Sequence, residues 1–382
     1  MRFLLEVLDD IGVMSGAVLF IRDNLKISSS QVEILVGSLN VCSLIGAFAS
    51  AKTSAMIGRR YTIILAATTF LIGSLLMGLS PSYPCLMAGR VVAGIGVGYS
   101  LMIAPVYTAE VSPAMTQNDD EADLRLEEII KAASLVGSST PSNWKGQGVW
   151  KELLRPSLPF RRIHVAAIGI NFFMQASGND AVVYYTPSVF NAAGIHNRKG
   201  LIAVTILKGI AKTSFCIVSA LFLDNFGRRS MLLLGTIGMA ISLASLGLGS
   251  MYLHNAYHKP PWAITLCVVA VSADVSFFSI GLGPITRVYS SEISPIRLRA
   301  QDSSLAVSVN RLVSGVVAMT FLTISNKITF AGTFFMLCGV MVLATIFFYF
   351  FLPETKGQSL EEIWPIFEDK KDKIVEKETI ER

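Results

Sequence analysis

The feature that most constrains this chain is a succession of apolar stretches, each about twenty residues long. They lie near 3–21, 32–55, 61–79, 85–108, 161–187, 201–223, 230–252, 262–287, 301–325 and 329–352. At 1.5 Å per residue, an α-helix of that length crosses roughly 30 Å of hydrocarbon. Only helices and closed barrels can satisfy every backbone hydrogen bond inside lipid. The sequence therefore predicts an all-α membrane protein with about ten transmembrane helices, split four and six. The first stretch is the weakest, because it carries Glu6, Asp9 and Asp10. Those acids precede "IGVMSGAVLFI" (11–21), where a secretory signal would carry positive charge, so the stretch does not read as a cleavable leader.

Charge placement supports the map. Only 15% of the 382 residues are charged and 52% are hydrophobic, against about 25% charged in a soluble domain. Basic residues gather in "GRRY" (58–61), at Arg155, Arg161 and Arg162, in "GRRS" (227–230), in "RLRA" (297–300) and at the start of the tail. With a cytoplasmic N-terminus, all of these fall on the cytoplasmic side, as the positive-inside rule requires. Both termini are then cytoplasmic. The same rule accounts for the net charge of +5, so no nucleic-acid partner is implied. The five cysteines show no CxxC spacing and the four histidines form no ligand set, so neither a disulfide framework nor a metal is expected. "GIGVG" (94–98) lies inside an apolar helix with no strand before it. Gly94 and Gly98 are expected to admit a close helix neighbour rather than bind a nucleotide.

The two halves repeat each other. "IGRRYTIILA" (57–66) matches "FGRRSMLLLG" (226–235), and "APVYTAEVSP" (104–113) matches "TRVYSSEISP" (286–295). Parallel repeats in this order mark transporters whose two helical bundles rock around a site near the bilayer midplane. Four units follow: an N-terminal bundle (1–113), a polar cytoplasmic loop (114–160), a C-terminal six-helix bundle (161–352) and a cytoplasmic tail (353–382). Within the loop, "DDEADLRLEEIIKAA" (119–133) reads as an amphipathic surface helix, with a partner-binding face as the alternative.

These motifs, with "DIGVMSGAVLFI" (10–21), "QASG" (175–178), "FFSIGLGPI" (277–285), "YSSEISPIRLRAQ" (289–301) and "LPETKGQSLEE" (352–362), resemble the sugar porters of the major facilitator superfamily. The chain is most similar to the plant polyol/monosaccharide proton symporters. That family has twelve helices. Its pattern continues after "VSPA" (111–114) with two more helices and a "PESPRWL"-type motif, whereas this chain runs directly into the polar loop. The resemblance thus implies a major facilitator bundle of about ten helices (4 + 6), with the fifth and sixth missing. Removing an even number preserves the orientation of all that follows.

The candidate site residues fall in three groups. Acids inside a membrane span are costly and usually functional. The resemblance places Asp10 on the family's proton-binding aspartate and Arg90 on its arginine partner. The other reading of Asp10 is an interfacial acid beside Glu6 and Asp9. Gln175, Asp180 and Tyr184 are spaced to share one helix face, where polar groups and a flat ring can read sugar hydroxyls. The resemblance gives them that role, and adds Asn310. It also marks departures: Met174 for Gln, Asn179 for an apolar residue, and Arg287 for a Trp that closes over the sugar. A third group, Arg59, Arg60, Glu110, Arg228, Arg229, Glu292 and Arg299, resembles the family's inter-bundle charge network, with Ala55 replacing its Asp.

The expected function is proton-coupled symport of polyols or monosaccharides by alternating access, in the plasma membrane, with no cofactor and no enzymatic chemistry. Two alternatives stand beside it: a truncated, non-transporting or regulatory family member, and an uncoupled facilitator.

Overall fold

A computed structural model describes Ile21, Leu25 and residues 27–116, 158–192, 198–255, 260–293 and 299–354. The first predicted span, with Asp10, most of the inter-bundle loop and most of the tail lie outside these residues.

The described chain is helical throughout. The helices on the N-terminal side, called here the first bundle, are α1 (Ser29–Ile57), α2 (Arg59–Gly78) and α3 (Tyr83–Thr116). The second contributes α4 (Leu158–Ala176), α5 (Asn179–Ala192), α6 (Arg198–Phe226), α7 (Arg228–Asn255), α8 (Pro261–Ile280), α9 (Leu282–Ile293), α10 (Arg299–Ile328) and α11 (Phe330–Phe351). Among the described residues, seven segments are long and apolar enough to cross a membrane: Ser29–Ser54, Arg59–Gly78, Tyr83–Ala104, Arg228–Leu253, Trp262–Ser290, Asp302–Ile328 and Phe330–Phe351. The stretches expected near 161–187 and 201–223 are helical but are not among the seven. The first of them is divided between α4 and α5, and α6 carries Lys208 and Lys212 in its middle.

Two expected continuous helices are broken. The stretch near 161–187 divides at Ser177–Gly178, where Gly178 has φ +72°. An L side chain rarely adopts that φ, and a Cβ there would meet the Leu337 side chain at 2.8 Å. The Ser177 hydroxyl accepts from the Asn179 N–H at 3.3 Å and donates to the Met174 carbonyl at 2.6 Å, so part of the broken backbone is satisfied. The stretch near 262–287 divides at Gly281, between α8 and α9. There the Ile280 carbonyl accepts from the Ser219 hydroxyl of α6 at 2.7 Å. Within a bilayer such breaks survive only where neighbouring groups take up the freed backbone.

Helices approach closely through small residues, as packing in lipid favours. A Cβ at Gly98 would overlap the Ser43 carbonyl of α1, and one at Gly94 would lie 2.7 Å from the Leu39 carbonyl. The expected packing role of both glycines is therefore what the structure displays. Gly37 and Gly315 play the same part where α1 meets α10. That contact joins the bundles, and Glu33 clamps it. Its carboxylate accepts from both the backbone N–H and the hydroxyl of Thr323, each at 2.7 Å. Hydrogen bonds to a charged group are each worth about 1.5–3 kcal/mol.

Candidate substrate site at the broken helices

The break after α4 sets the site. Gln175 ends α4 and Asp180 begins α5, so the two meet across a turn rather than along one continuous helix face. The sequence spacing put them on one continuous helix face, whereas the structure places a break between them. With the Gln175 amide oriented to suit its neighbours, its nitrogen donates to Asp180 Oδ2 at 2.9 Å and its oxygen accepts from Arg311 Nη2 at 3.1 Å. The Ser314 hydroxyl donates to the same Asp180 oxygen at 3.2 Å. Gln175, Asp180, Tyr184 and Asn310 are all buried.

α10 supplies the opposite wall. The Asn310 side-chain oxygen accepts from Arg311 Nε at 3.0 Å and Nη2 at 2.7 Å. Its nitrogen donates to the Asn171 carbonyl of α4 at 3.4 Å. Arg311 Nη1 reaches across to the first bundle and donates to Asn40 Oδ1 of α1 at 3.3 Å. The arrangement therefore spans both bundles. Tyr184 lies within electrostatic reach of Arg311, while the neighbouring Tyr185 turns away, bonding the Ala318 carbonyl at 2.9 Å and stacking on Phe321.

Several groups here were not singled out from the sequence. Arg311 follows Asn310 directly and Asn40 sits inside an apolar helix, so an intramembrane polar residue was the available signal for both. Lys212 of α6 lies 5.9 Å from the centre of the Phe278 ring. Asn179, already marked in the sequence as a departure from the family, is buried, and neither atom of its amide has a hydrogen-bond partner among the described residues. The same holds for both carboxylate oxygens of Asp274 in α8, which has no exposed surface.

The other predicted groups are placed in part. Arg90 is buried in α3, 2% exposed, and its expected partner Asp10 lies outside the described residues. Glu110 and Glu292 fall in α3 and α9, and Arg299 opens α10; their side chains lie outside the described ones. Arg59 and Arg60 open α2, with Arg59 Nη1 donating to the Ser54 hydroxyl at 3.0 Å. Arg228 and Arg229 open α7, and here the sequence reading missed the partner. The Glu354 carboxylate of the "PETKG" segment accepts from the backbone N–H of Arg228 at 2.9 Å and of Arg229 at 3.2 Å. It caps the helix where the backbone dipole favours an anion.

The family model described as "Sugar (and other) transporter" matches this chain over residues 10–117 and 114–367. The chain belongs to the sugar transporter family. It is a sugar porter, similar to the plant polyol transporters. Polyol transporter 5 of Arabidopsis thaliana is 41% identical over 446 residues, covering 94% of this chain and 83% of that protein. Probable polyol transporter 6 of the same plant is 40% identical over 453 residues, covering 96% of this chain and 92% of that protein. Both alignments are longer than the 382 residues of this chain, so these relatives carry residues that this sugar porter lacks. Among solved structures, the proton:xylose symporter XylE bound to 6-bromo-6-deoxy-D-glucose superposes with a TM-score of 0.70. It is 21% identical and covers 94% of this chain and 95% of its own, a likeness of fold. The sugar porter described here is thus an integral, multi-pass membrane protein of a transporter family, a class without enzymatic chemistry.

Proposed function

We propose that this sugar porter moves polyols or monosaccharides together with protons across the plasma membrane by alternating access. The observation that carries this reading is the meeting of Gln175 and Asp180 at a broken helix with Arg311, which in turn contacts Asn40 of the other bundle. Discontinuous helices at a bundle interface are where secondary transporters bind substrate. A network that spans both bundles changes when they rock, so substrate bound there biases the equilibrium between states. Asp10 and Arg90 would form the proton site. The charges around the "GRR" turns, with Glu110, Glu292 and Arg299, would tie the bundles together on the cytoplasmic side. The division into two bundles around a loop at 114–160 belongs to the same reading. The family match falling into two stretches that meet at 114–117 supports it.

The test is polyol uptake in a transport-deficient yeast, with and without a proton gradient. Gradient-driven accumulation that is lost in Asp10→Asn is the expected result. Surface expression without uptake would refute the proposal.

A second reading, a non-transporting or regulatory member of the family, is favoured by one observation. Among the described residues nothing lies within 4 Å of a Cβ built at Gly58, whereas the matching Gly227 is covered by Glu354. Among the described residues, the turn of the first bundle lacks the carboxylate cap that the second possesses.

A further inference from the structure

Among the described residues, the charges at the broken helices do not balance. Arg287 of α9, Arg311 of α10 and Lys212 of α6 all lie within electrostatic reach of Asp180. Arg287 and Arg311 also repel one another. Three cations thus share one carboxylate among the described residues. Asp180 accepts from Gln175 and Ser314, both neutral donors. Arg311 donates to neutral oxygens, those of Asn310, Asn40 and Gln175. Lys212 rests near the Phe278 ring. Arg287 has its Nη1 buried with no hydrogen-bond partner among the described residues.

An excess of buried positive charge is expensive, because the desolvation of each ion is recovered only through an opposite charge or a full set of hydrogen bonds. Inside a membrane span, ionisable groups kept at that cost usually mark a substrate pathway. An anionic ligand meets that need most directly, because it supplies both the charge and the hydrogen-bond acceptors. It must also suit a guanidinium, whose planar fork matches a carboxylate through two parallel hydrogen bonds. Around the charges lie groups that read hydroxyls, including the Asn179 amide, which has both a donor and an acceptor buried and unused among the described residues. A neutral polyol would satisfy the amides and could bond Arg287, but would leave its charge uncompensated.

We propose that the site takes a sugar acid, a polyhydroxylated carboxylate, in preference to the neutral polyol or monosaccharide of the same size. The ligand carboxylate would sit on Arg287, with Lys212 adding long-range attraction, and its hydroxyls would meet Asn179, Asp180 and Gln175. This inference rests on the transport reading above and narrows its substrate class.

The test is equilibrium binding to the full chain in lipid nanodiscs, with D-glucuronate and D-glucose as matched charged and neutral probes and sorbitol as a neutral polyol. The unchanged protein is expected to bind glucuronate at least ten times more tightly than glucose. Arg287→Gln should bring that ratio close to one, and Arg287→Trp should turn it in favour of glucose. If glucose or sorbitol binds and glucuronate binds no better, the inference is overturned while the transport reading stands. If none of the three binds, both fail. The ratio measured on the unchanged protein decides the matter even where a variant does not fold.

Discussion

The two "GRR" turns are nearly the same in sequence and differ in their surroundings. Gly58 and Gly227 have φ of +84° and +85°, and each precedes two arginines that open a helix, α2 or α7. At Gly227 the Glu354 carboxylate sits 2.9 Å from where a Cβ would be and caps two backbone N–H groups. At Gly58 that space is open among the described residues. The helices that follow differ as well. α2 buries little beyond Thr62, Ala66 and Gly73, with Leu71, Ile72, Leu75 and Leu76 exposed along its length. α7 buries Met231, Leu232, Met239, Leu243 and Leu246 in the large core, which also takes in Val32, Leu35 and Val36 of α1 and Leu86 of α3. A smaller cluster, Leu39, Ala93, Val97 and Leu101, lies between α1 and α3. A local motif therefore fixes the turn, while its cap and its packing come from chain far away in sequence. Glu354 arrives 126 residues after Arg228.

This contrast can be broken from either side. The largest effect is expected for Gly227→Ala, which forces a left-handed φ on an L residue and drives a methyl into Glu354. A loss of about 3 kcal/mol combines the strained backbone with the displaced cap, read as the thermal melting of purified protein in detergent. Glu354→Ala removes the cap and leaves the turn, at about 1–2 kcal/mol. Gly58→Ala meets the same φ in open space, so its cost should be about 1–2 kcal/mol and smaller than that of Gly227→Ala. Equal melting shifts for the two glycine variants would show that Glu354 contributes nothing. The smallest effect is expected for Ala55→Asp, which returns a carboxylate near Arg59 and Arg60. It should stabilise by less than about 1 kcal/mol, and the gain should vanish at high salt.

Much of the fold was legible because apolar length and basic turns are local signals. The stretches near 32–55, 61–79 and 85–108 became α1, α2 and α3, and Gly94 and Gly98 form the close approach that an apolar glycine string suggested. What stayed hidden depended on contacts distant in sequence. The breaks at Gly178 and Gly281 look like ordinary glycines in apolar runs until Leu337 and Gly235 are brought against them. Gln175, Asp180 and Asn310 were readable as polar residues in membrane segments. Arg311, by contrast, gains its importance only when Asn40 of the other bundle lies at its end. Glu33 likewise reads as one more interfacial acid until Thr323 is beside it.

The most direct test of the broken-helix site is gradient-driven uptake by the full chain reconstituted in lipid vesicles, comparing the unchanged protein with Asp180→Asn. Asp180 takes hydrogen bonds from Gln175 and Ser314 and shares its field with Arg287, Arg311 and Lys212. Neutralising it leaves those cations without a counter-charge and removes an acceptor for substrate hydroxyls, and at about 3 kcal/mol the loss corresponds to roughly a hundredfold fall in uptake of sorbitol. Accumulation by the unchanged protein and its collapse in Asp180→Asn would bear the site out. Uptake that is the same in both proteins would contradict it.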